Sequence, residues 1–224
     1  MIIASVSVKG GAGKSTLATN LAAEYMRRGR SVLLVDADPQ GTSRVWAEVA
    51  MENGHKPPTV VAMGRDMHKP GQLDRIAANY DITIIDCPGR EGAVVRSALV
   101  IADVVLIPCG ASPADAWALQ QSLEIIDEAR TIRPNLIARV VITRRRATAI
   151  GKNARNDLAA VGVPLMPVEL AERVAYQQAM GEGRGVTNMS GQPDATREIR
   201  DLTTAIDNLT SEHLNDAVTV AHVA

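Results

Sequence analysis

The sequence contains no phenylalanine, and two tryptophans and three tyrosines are its only aromatic residues among 224. Proteins that bind single-stranded nucleic acid by base stacking need aromatic platforms, so this shortage argues against that class. A core made of alanine, valine, leucine and isoleucine is typical of a parallel sheet that helices cover on both faces. The composition therefore favours an α/β domain.

Long uncharged runs are also missing from the sequence. The longest, such as residues 104–114, have eleven residues, whereas a membrane-spanning helix needs about 20 apolar ones. Residues 1–8 are apolar, but no basic segment precedes them as it would in a signal peptide. The cysteines Cys87 and Cys109 form neither a CxxC pair nor a disulfide framework. We expect a cytoplasmic protein without a membrane partner.

Short runs rich in β-branched residues alternate with helical segments along the chain. The predicted strands are residues 2–8, 31–36, 81–86, 104–108, 136–143 and 163–168. The predicted helices are residues 16–28, 113–130, 150–161, 174–180 and 193–209, with Ser112 as the N-cap of the second. The strands are apolar without alternation, which indicates burial on both faces.

This alternation predicts an α/β fold with a doubly wound, mostly parallel sheet and helices on both of its faces. Ligands of such folds bind at the carboxyl ends of the strands. We expect residues 1–210 to form a single domain and residues 211–224 to be a weakly ordered tail.

The most specific motif lies between the first predicted strand and the first predicted helix. It reads Lys9-Gly10-Gly11-Ala12-Gly13-Lys14-Ser15-Thr16. Glycines let consecutive backbone N–H groups turn towards phosphate oxygens, and the helix N-terminus adds its positive end. Lys14 would reach the β- and γ-phosphates, and the Ser15 hydroxyl would ligate Mg²⁺. The motif predicts a P-loop that binds ATP through residues 9–16.

The P-loop departs from the usual G-x-x-x-x-G-K-[ST] pattern, because Val8 replaces the first glycine and Lys9 adds a second lysine. In this it resembles the deviant Walker A loop of the ParA/MinD family of partition and positioning ATPases. The resemblance implies an ATP-sandwiching homodimer in which Lys9 contacts the phosphates bound by the other subunit, as an arginine finger does in trans. Within that family, the chain is most similar to the small ParA-type proteins that lack an N-terminal helix-turn-helix region.

Two acidic segments extend the resemblance. Residues 32–41, with Asp36 and Asp38, are similar to the family's second-strand motif, which implies that Asp38 orients the attacking water and Asp36 supports the Mg²⁺ shell. Residues 82–89 resemble its Walker B strand, which implies that Asp86 holds a metal-bound water. The expected metal residues are thus Ser15, Asp36 and Asp86, and the expected catalytic residues are Lys9, Lys14 and Asp38. The implied reaction is slow, Mg²⁺-dependent hydrolysis of ATP.

Two further sets of residues are candidates for binding. The resemblance implies adenine contacts at the ends of two late strands, from Arg144, Pro167, Val168 and Glu169. Residues 130–155 contain eight basic residues and no acidic one, which favours contacts with DNA phosphates. The expected DNA-binding residues are Arg144, Arg145, Arg146, Lys152, Arg155 and Arg173.

The resemblance therefore implies a ParA-type ATPase for plasmid or chromosome partition. Its ATP-bound dimer would bind nucleoid DNA without sequence preference, and a ParB-like adaptor would stimulate hydrolysis and release. The last 24 residues contain no lysine or arginine, which argues against a MinD-like basic membrane helix. The alternatives are a positioning ATPase for carboxysomes or chemoreceptor clusters, and a metabolic enzyme of the dethiobiotin synthetase-like class.

Overall fold

The computed structural model describes residues 1–90, 92–160, 162 and 164–221, without the side chains of residues 113, 149, 150, 152 and 214–221. Within this part of the chain, six strands form one parallel sheet in the order β3-β2-β4-β1-β5-β6. The strands are β1 (Ile2–Ser5), β2 (Val32–Asp36), β3 (Thr59–Ala62), β4 (Ile82–Asp86), β5 (Val104–Cys109) and β6 (Ile137–Ile142).

Helices connect the strands and cover the sheet. They are α1 (Lys14–Arg27), α2 (Thr42–Glu52), α3 (Leu73–Ala77), α4 (Ala93–Ile101), α5 (Pro113–Arg130), α6 (Ala149–Ala160), α7 (Val174–Gly181) and α8 (Pro193–Ala221). Ser112 is the N-cap of α5, as predicted, and its hydroxyl accepts a hydrogen bond from the Asp115 backbone N–H. Within the described residues, none of these helices has the length and apolar character needed to cross a membrane.

Successive strand residues contribute to two separate hydrophobic cores. Ile3, Leu34 and Ile84 pack on one face of the sheet, against α1 and α8. Ala4 and Ile85 pack on the other face, with side chains of α4 and α5. Burial on both faces explains why the strands are apolar without alternation, and it confirms the predicted doubly wound fold.

The functional edge of the sheet follows from the strand order. Strand β1 lies between β4 and β5. The sheet continues on one side of β1 with β4, β2 and β3 and on the other side with β5 and β6, so the strand order reverses direction at β1. Ser5 and Asp36 are each in register with Asp86 on β4. The segments that follow β1, β2 and β4 therefore leave the same edge, at the switch point where ligands of doubly wound sheets bind.

Three features differ from the sequence prediction. Residues 164–168 form one bridge, Val140 with Leu165, rather than a strand, because Pro164 and Pro167 have no N–H to donate to a ladder; Val163 is outside the described residues. The last helix continues past residue 209 to Ala221, and residues 222–224 of the predicted tail lie outside the described part. Strand β3 and helices α2, α3 and α4 were not predicted.

Candidate functional site

The loop between β1 and α1 carries the predicted P-loop. Gly13 has a φ of 101°, a left-handed conformation that favours glycine, and it directly precedes the first residue of α1. The Thr143 hydroxyl donates a hydrogen bond to the Ala12 carbonyl oxygen at 3.0 Å, which fastens the loop to the end of β6. The loop is thus held by both its own backbone conformation and a neighbouring strand.

Lys14 is almost fully buried, with 6% of its surface exposed. Its Nζ donates a hydrogen bond to the Lys9 carbonyl oxygen at 3.0 Å. Burial lowers the pKa of Lys14, while the negative charges of Asp86 and Asp38 oppose that effect. The chain holds this ammonium group in place below the glycines of the loop.

An open cavity of about 510 Å³ lies against the P-loop. Its lining combines backbone of the P-loop, the lysine that ends the motif and segments that follow β2 and β4. These residues are Gly10, Gly11, Gly13, Lys14, Ser15, Thr16, Asp38, Pro39, Gln40, Thr42, Pro88, Gly89, Arg90 and Met180. The P-loop and Asp38 therefore reach a common space, as a phosphate site with an attacking water requires.

The two acids of the second motif have different surroundings. The buried Asp36 carboxylate accepts hydrogen bonds from the backbone N–H groups of Asp38, at 3.2 Å, and Arg44, at 2.9 Å. Asp38 is partly exposed in the cavity, and its Oδ1 accepts a hydrogen bond from the Gln40 backbone N–H at 2.9 Å. Each Asp36 oxygen thus accepts one backbone hydrogen bond near the turn that presents Asp38. A carboxylate has about four lone-pair sites, so the support of the Mg²⁺ shell expected of Asp36 stays a prediction.

Asp86, at the end of β4, has the geometry of a metal ligand. The Ser43 hydroxyl donates a hydrogen bond to its Oδ2 at 2.7 Å, whereas its buried Oδ1 has no hydrogen-bond partner. Burial raises the pKa of Asp86 to about 6, although the hydroxyls of Ser15 and Ser43 and the charge of Lys14 act to lower it. An unpartnered carboxylate oxygen beside a serine hydroxyl fits Mg²⁺.

The described residues contain no group of three or more His, Cys, Asp or Glu side chains arranged to hold a metal. This agrees with Mg²⁺, which protein sites usually bind through one or two carboxylates together with substrate phosphates and water. Asp86 and the Ser15 hydroxyl beside it suit Mg²⁺ that also binds nucleotide phosphates.

Lys9 does not line this cavity. Its Nζ forms an ion pair with Asp115 Oδ1 at 2.7 Å, and Arg144 Nη2 lies 3.7 Å from the same oxygen. Asp115 is not among the residues predicted from the sequence, although Ser112 and Asp115 have the spacing of a capping box, which is the signal that marks it.

A second cavity, of about 360 Å³, adjoins the P-loop and has a mostly apolar lining suited to a nucleobase. It is lined by Gly11, Gly13, Thr16, Leu17, Thr143, Arg144, Leu170, Ala171, Glu172, Arg173, Tyr176, Gln177 and Met180. Of the predicted adenine-contacting residues, the structure brings Arg144 here but not Pro167, Val168 or Glu169. Glu169 is instead ion-paired, with Arg145 at 2.9 Å and Arg155 at 2.6 Å.

The predicted DNA-binding arginines are not free of acidic partners in the fold. Five of the predicted DNA-binding residues are arginines whose side chains the structure describes. Each of these is paired with a carboxylate from outside residues 130–155. The pairs are Arg144–Asp115, Arg145–Glu169, Arg146–Glu172, Arg155–Glu169 and Arg173–Glu198. Lys152 lies in α6, and its side chain is outside the described part of the structure. These five arginines are thus paired in the folded chain.

Comparison with known proteins agrees with this geometry. Residues 3–186 match the family model described as the CobQ/CobB/MinD/ParA nucleotide binding domain. The chain is 32% identical to maintenance of carboxysome distribution protein A of Halothiobacillus neapolitanus over 193 residues, which are 85% of this chain and 88% of that protein. It is 29% identical to protein ParA of Rhizobium radiobacter over 198 residues, covering 85% and 87%.

A solved structure supports the fold assignment. The ATP complex of a McdA variant from Cyanothece superposes with a TM-score of 0.77 at 18% identity, covering 92% of this chain and 96% of that one. At this level of identity the likeness concerns the fold alone.

Proposed function

This chain belongs to the CobQ/CobB/MinD/ParA nucleotide-binding domain family and is a ParA-type ATPase, and from that premise we propose a cycle for it. ATP binding pairs two copies of the chain, the dimer binds DNA without sequence preference, and hydrolysis stimulated by a cargo adaptor releases it. The observation that carries the proposal is the cavity in which the P-loop, Lys14 and Asp38 meet, beside the unpartnered oxygen of Asp86.

Each residue of the P-loop cavity has a separate task in this proposal. The backbone of residues 10–16 and the Lys14 ammonium bind the β- and γ-phosphates of ATP. Asp86 and the Ser15 hydroxyl hold Mg²⁺, which neutralises phosphate charge when it is bound. Asp38 orients the attacking water, and Asp36 fixes the turn that carries Asp38. Asp36 also keeps the role that the sequence implied, which is to support the Mg²⁺ shell with its remaining lone pairs.

Gly89 provides a first prediction, because a Cβ at this position would lie 3.1 Å from both Gly10 Cα and Lys14 Nζ. We expect Gly89→Ala to weaken ATP binding on the order of tenfold, since the methyl group would displace the loop or the lysine. Titration with a fluorescent ATP analogue measures the change.

The matched control is Gly92→Ala in the same segment. A Cβ at Gly92 meets nothing within 4 Å, and its φ of 166° is extended backbone that any residue adopts. We expect Gly92→Ala to bind ATP as the wild type does. Equal affinities for Gly89→Ala and the wild type would contradict the placement of the phosphates against Gly10 and Lys14.

Lys9 supports the proposed dimer. Its side chain does not line the P-loop cavity of its own protomer, although its backbone carbonyl binds Lys14. A lysine at the edge of the loop is placed to contact phosphates across an interface, where its charge acts only after two protomers meet. We therefore assign Lys9 a role in trans.

The arginine surface supports DNA binding through the distribution of its charges. The arginine side chain is more exposed than its acidic partner in the pairs Arg144–Asp115, at 47% against 6%, and Arg146–Glu172, at 70% against 39%. The same order holds for the pairs of Arg145 and Arg155 with Glu169. In these four pairs the cation is the more exposed member, so that DNA phosphates would meet these arginines first; Arg173 differs, because its partner Asp194 is more exposed than the arginine.

Pairing nevertheless makes this surface weak in a single protomer, and the chain as a whole carries a net charge of −1. Two such surfaces on one rigid dimer would raise the effective concentration of the second contact. The proposal therefore requires DNA binding to depend on ATP.

The double substitution Arg145→Ala with Arg146→Ala tests the DNA surface. We expect DNA affinity in ATP to fall about tenfold on any sequence, and the salt slope to decrease by about one for each phosphate that the variant no longer neutralises. ATP binding should be unchanged. A salt series of fluorescence anisotropy with two unrelated duplexes measures both quantities.

The control for this test is Arg65→Ala with Arg96→Ala, two exposed arginines outside the basic run of residues 130–155 that also form ion pairs. This control removes the same net charge as the test variant. It should leave the salt slope unchanged, because neither arginine belongs to the proposed surface. DNA binding that is insensitive to salt, or ATP-dependent sedimentation with anionic liposomes in its place, would contradict the assignment.

The cargo has two candidates. We propose partition of a plasmid or chromosome, and the 32% identity to a protein named for carboxysome distribution favours protein compartments as the second candidate. Deletion of the gene separates them. Loss of plasmid or chromosome copies at division supports partition, whereas clustering of compartments in cells that keep their DNA supports compartment positioning.

A further inference from the structure

Asp115, in the first turn of α5, binds more groups than a helix cap requires. Its Oδ2 accepts hydrogen bonds from the backbone N–H and the hydroxyl of Ser112. Its Oδ1 accepts a hydrogen bond from Lys9 Nζ at 2.7 Å, with Arg144 Nη2 at 3.7 Å. Only 6% of the Asp115 side chain is exposed. One buried carboxylate therefore joins the helix cap to two cations.

Lys9 and Asp115 line a cavity of their own, of about 420 Å³, which does not include Lys14 or Ser15. Its lining contains three cations, Lys9, Arg144 and Arg146, and two carboxylates, Asp115 and Glu172. The Lys9 ammonium is thus drawn towards α5 and away from the P-loop cavity that would hold the phosphates.

We propose that Asp115 is a positioning residue that holds the Lys9 side chain within its own protomer, so that the dimer forms only when phosphates of a bound nucleotide compete successfully for Lys9. This inference rests on the proposed function, because the contact that Asp115 opposes is the one that Lys9 makes in trans. The ion pair sets the ATP concentration at which two protomers associate.

The surroundings of Asp115 keep the free-energy cost of releasing Lys9 low. When Lys9 leaves, the carboxylate keeps both hydrogen bonds from Ser112, and Arg144 already lies near the oxygen that Lys9 vacates. A buried carboxylate without a remaining partner would be costly, and Arg144 prevents that cost. The exchange of one cation for another lets the same helix cap persist in both arrangements.

Arg144 also connects this device to the nucleotide site. It lines both the cavity of Lys9 and the apolar cavity beside the P-loop, and it stands in a left-handed backbone conformation with a φ of 50°. Few non-glycine residues adopt that conformation, which directs a side chain differently from the neighbouring strand residues. Arg144, which would replace Lys9 as the ion-pair partner of Asp115, therefore also adjoins the proposed base site.

The contact is tested first by the chemical reactivity of Lys9. Asp115→Asn keeps an oxygen for the Ser112 N–H but removes the charge that holds Lys9. We expect the rate at which an N-hydroxysuccinimide acetate reagent acetylates Lys9, read by mass spectrometry in protein without nucleotide, to rise about three- to fivefold. The control is Asp127→Asn, which removes an exposed, ion-paired carboxylate from the same helix and should leave the rate unchanged.

The consequence is tested by the ATP concentration that gives half-maximal dimer in light scattering. Asp115→Asn should lower that concentration about three- to fivefold in the wild-type background and leave it unchanged in Lys9→Ala. A merely structural role for Asp115 would shift both backgrounds equally. Thermal unfolding of all variants establishes that each is folded.

The acetylation rate tests the ion pair between Asp115 and Lys9, and the ATP concentration for half-maximal dimer tests its role in dimerisation. An unchanged acetylation rate in folded Asp115→Asn overturns the proposed contact, and an equal shift with and without Lys9 overturns its role in dimerisation. If Asp115→Asn raises the rate but ATP produces no dimer in any variant, the contact stands and the proposed ATP-driven dimer is contradicted.

Discussion

Lys14→Ala is expected to lower the affinity for ATP by about two orders of magnitude or more. The Lys14 ammonium is buried beneath the P-loop glycines, and among the described residues that line the same cavity the only other cationic side chain is that of Arg90. Hydrogen bonds from a charged donor to phosphate are each worth about 1.5–3 kcal/mol, and alanine removes them together with the bond that joins Lys14 to the Lys9 carbonyl.

The control for this prediction is Lys69→Ala. Lys69 forms an exposed ion pair with Asp66 at 2.9 Å, away from the cavity, and such pairs contribute little to stability. Isothermal titration with a non-hydrolysable ATP analogue measures both variants. An affinity of folded Lys14→Ala equal to that of the wild type would show that the nucleotide binds elsewhere.

Asp38→Ala is expected to slow ATP hydrolysis on the order of 100-fold while ATP binding persists. The partly exposed carboxylate of Asp38 enters the P-loop cavity, but the proposed phosphate and metal contacts come from Lys14, Ser15 and Asp86. Removal of a group that orients the attacking water lowers turnover without removing these contacts. The expected result is therefore a trapped ATP complex, which single-turnover assays and measurement of retained nucleotide detect.

A second substitution separates chemistry from the shape of the turn. Asp38→Asn keeps an oxygen that can accept the Gln40 N–H hydrogen bond but removes the charge. We expect Asp38→Asn to be as slow as Asp38→Ala, whereas Asp66→Ala, which removes the partner of Lys69, should hydrolyse ATP at the wild-type rate. Normal turnover by Asp38→Asn would indicate that Asp38 only maintains the turn.

The fold could be predicted because its signals are local. The residues of β2 and β4 are mostly apolar, since each strand is buried on both faces, and Ser112 caps α5 with the spacing expected of an N-cap. Strand β3 gave no such signal. It has four residues at the edge of the sheet, all exposed or half-buried, so that neither its length nor its hydrophobicity distinguishes it from a loop.

The site could be predicted only where one short segment carries it. The P-loop and Asp86 are recognisable from their motifs, whereas the ion pair of Asp115 with Lys9 joins residues that are 106 positions apart in the sequence. Glu169 shows the same limit, because it was expected at the adenine and instead pairs with Arg145 and Arg155. A sequence shows where charges occur along the chain, but the tertiary fold determines which of them meet.

The mass of Asp38→Ala in solution tests most directly whether ATP pairs two protomers, because this variant should retain its ATP. Light scattering with ATP and Mg²⁺ should give twice the 23.8 kDa of one chain, and ADP should return the value to 23.8 kDa. Adding Lys9→Ala to the variant should reduce the dimer fraction in ATP. A mass of 23.8 kDa for Asp38→Ala with ATP demonstrably bound would contradict the account.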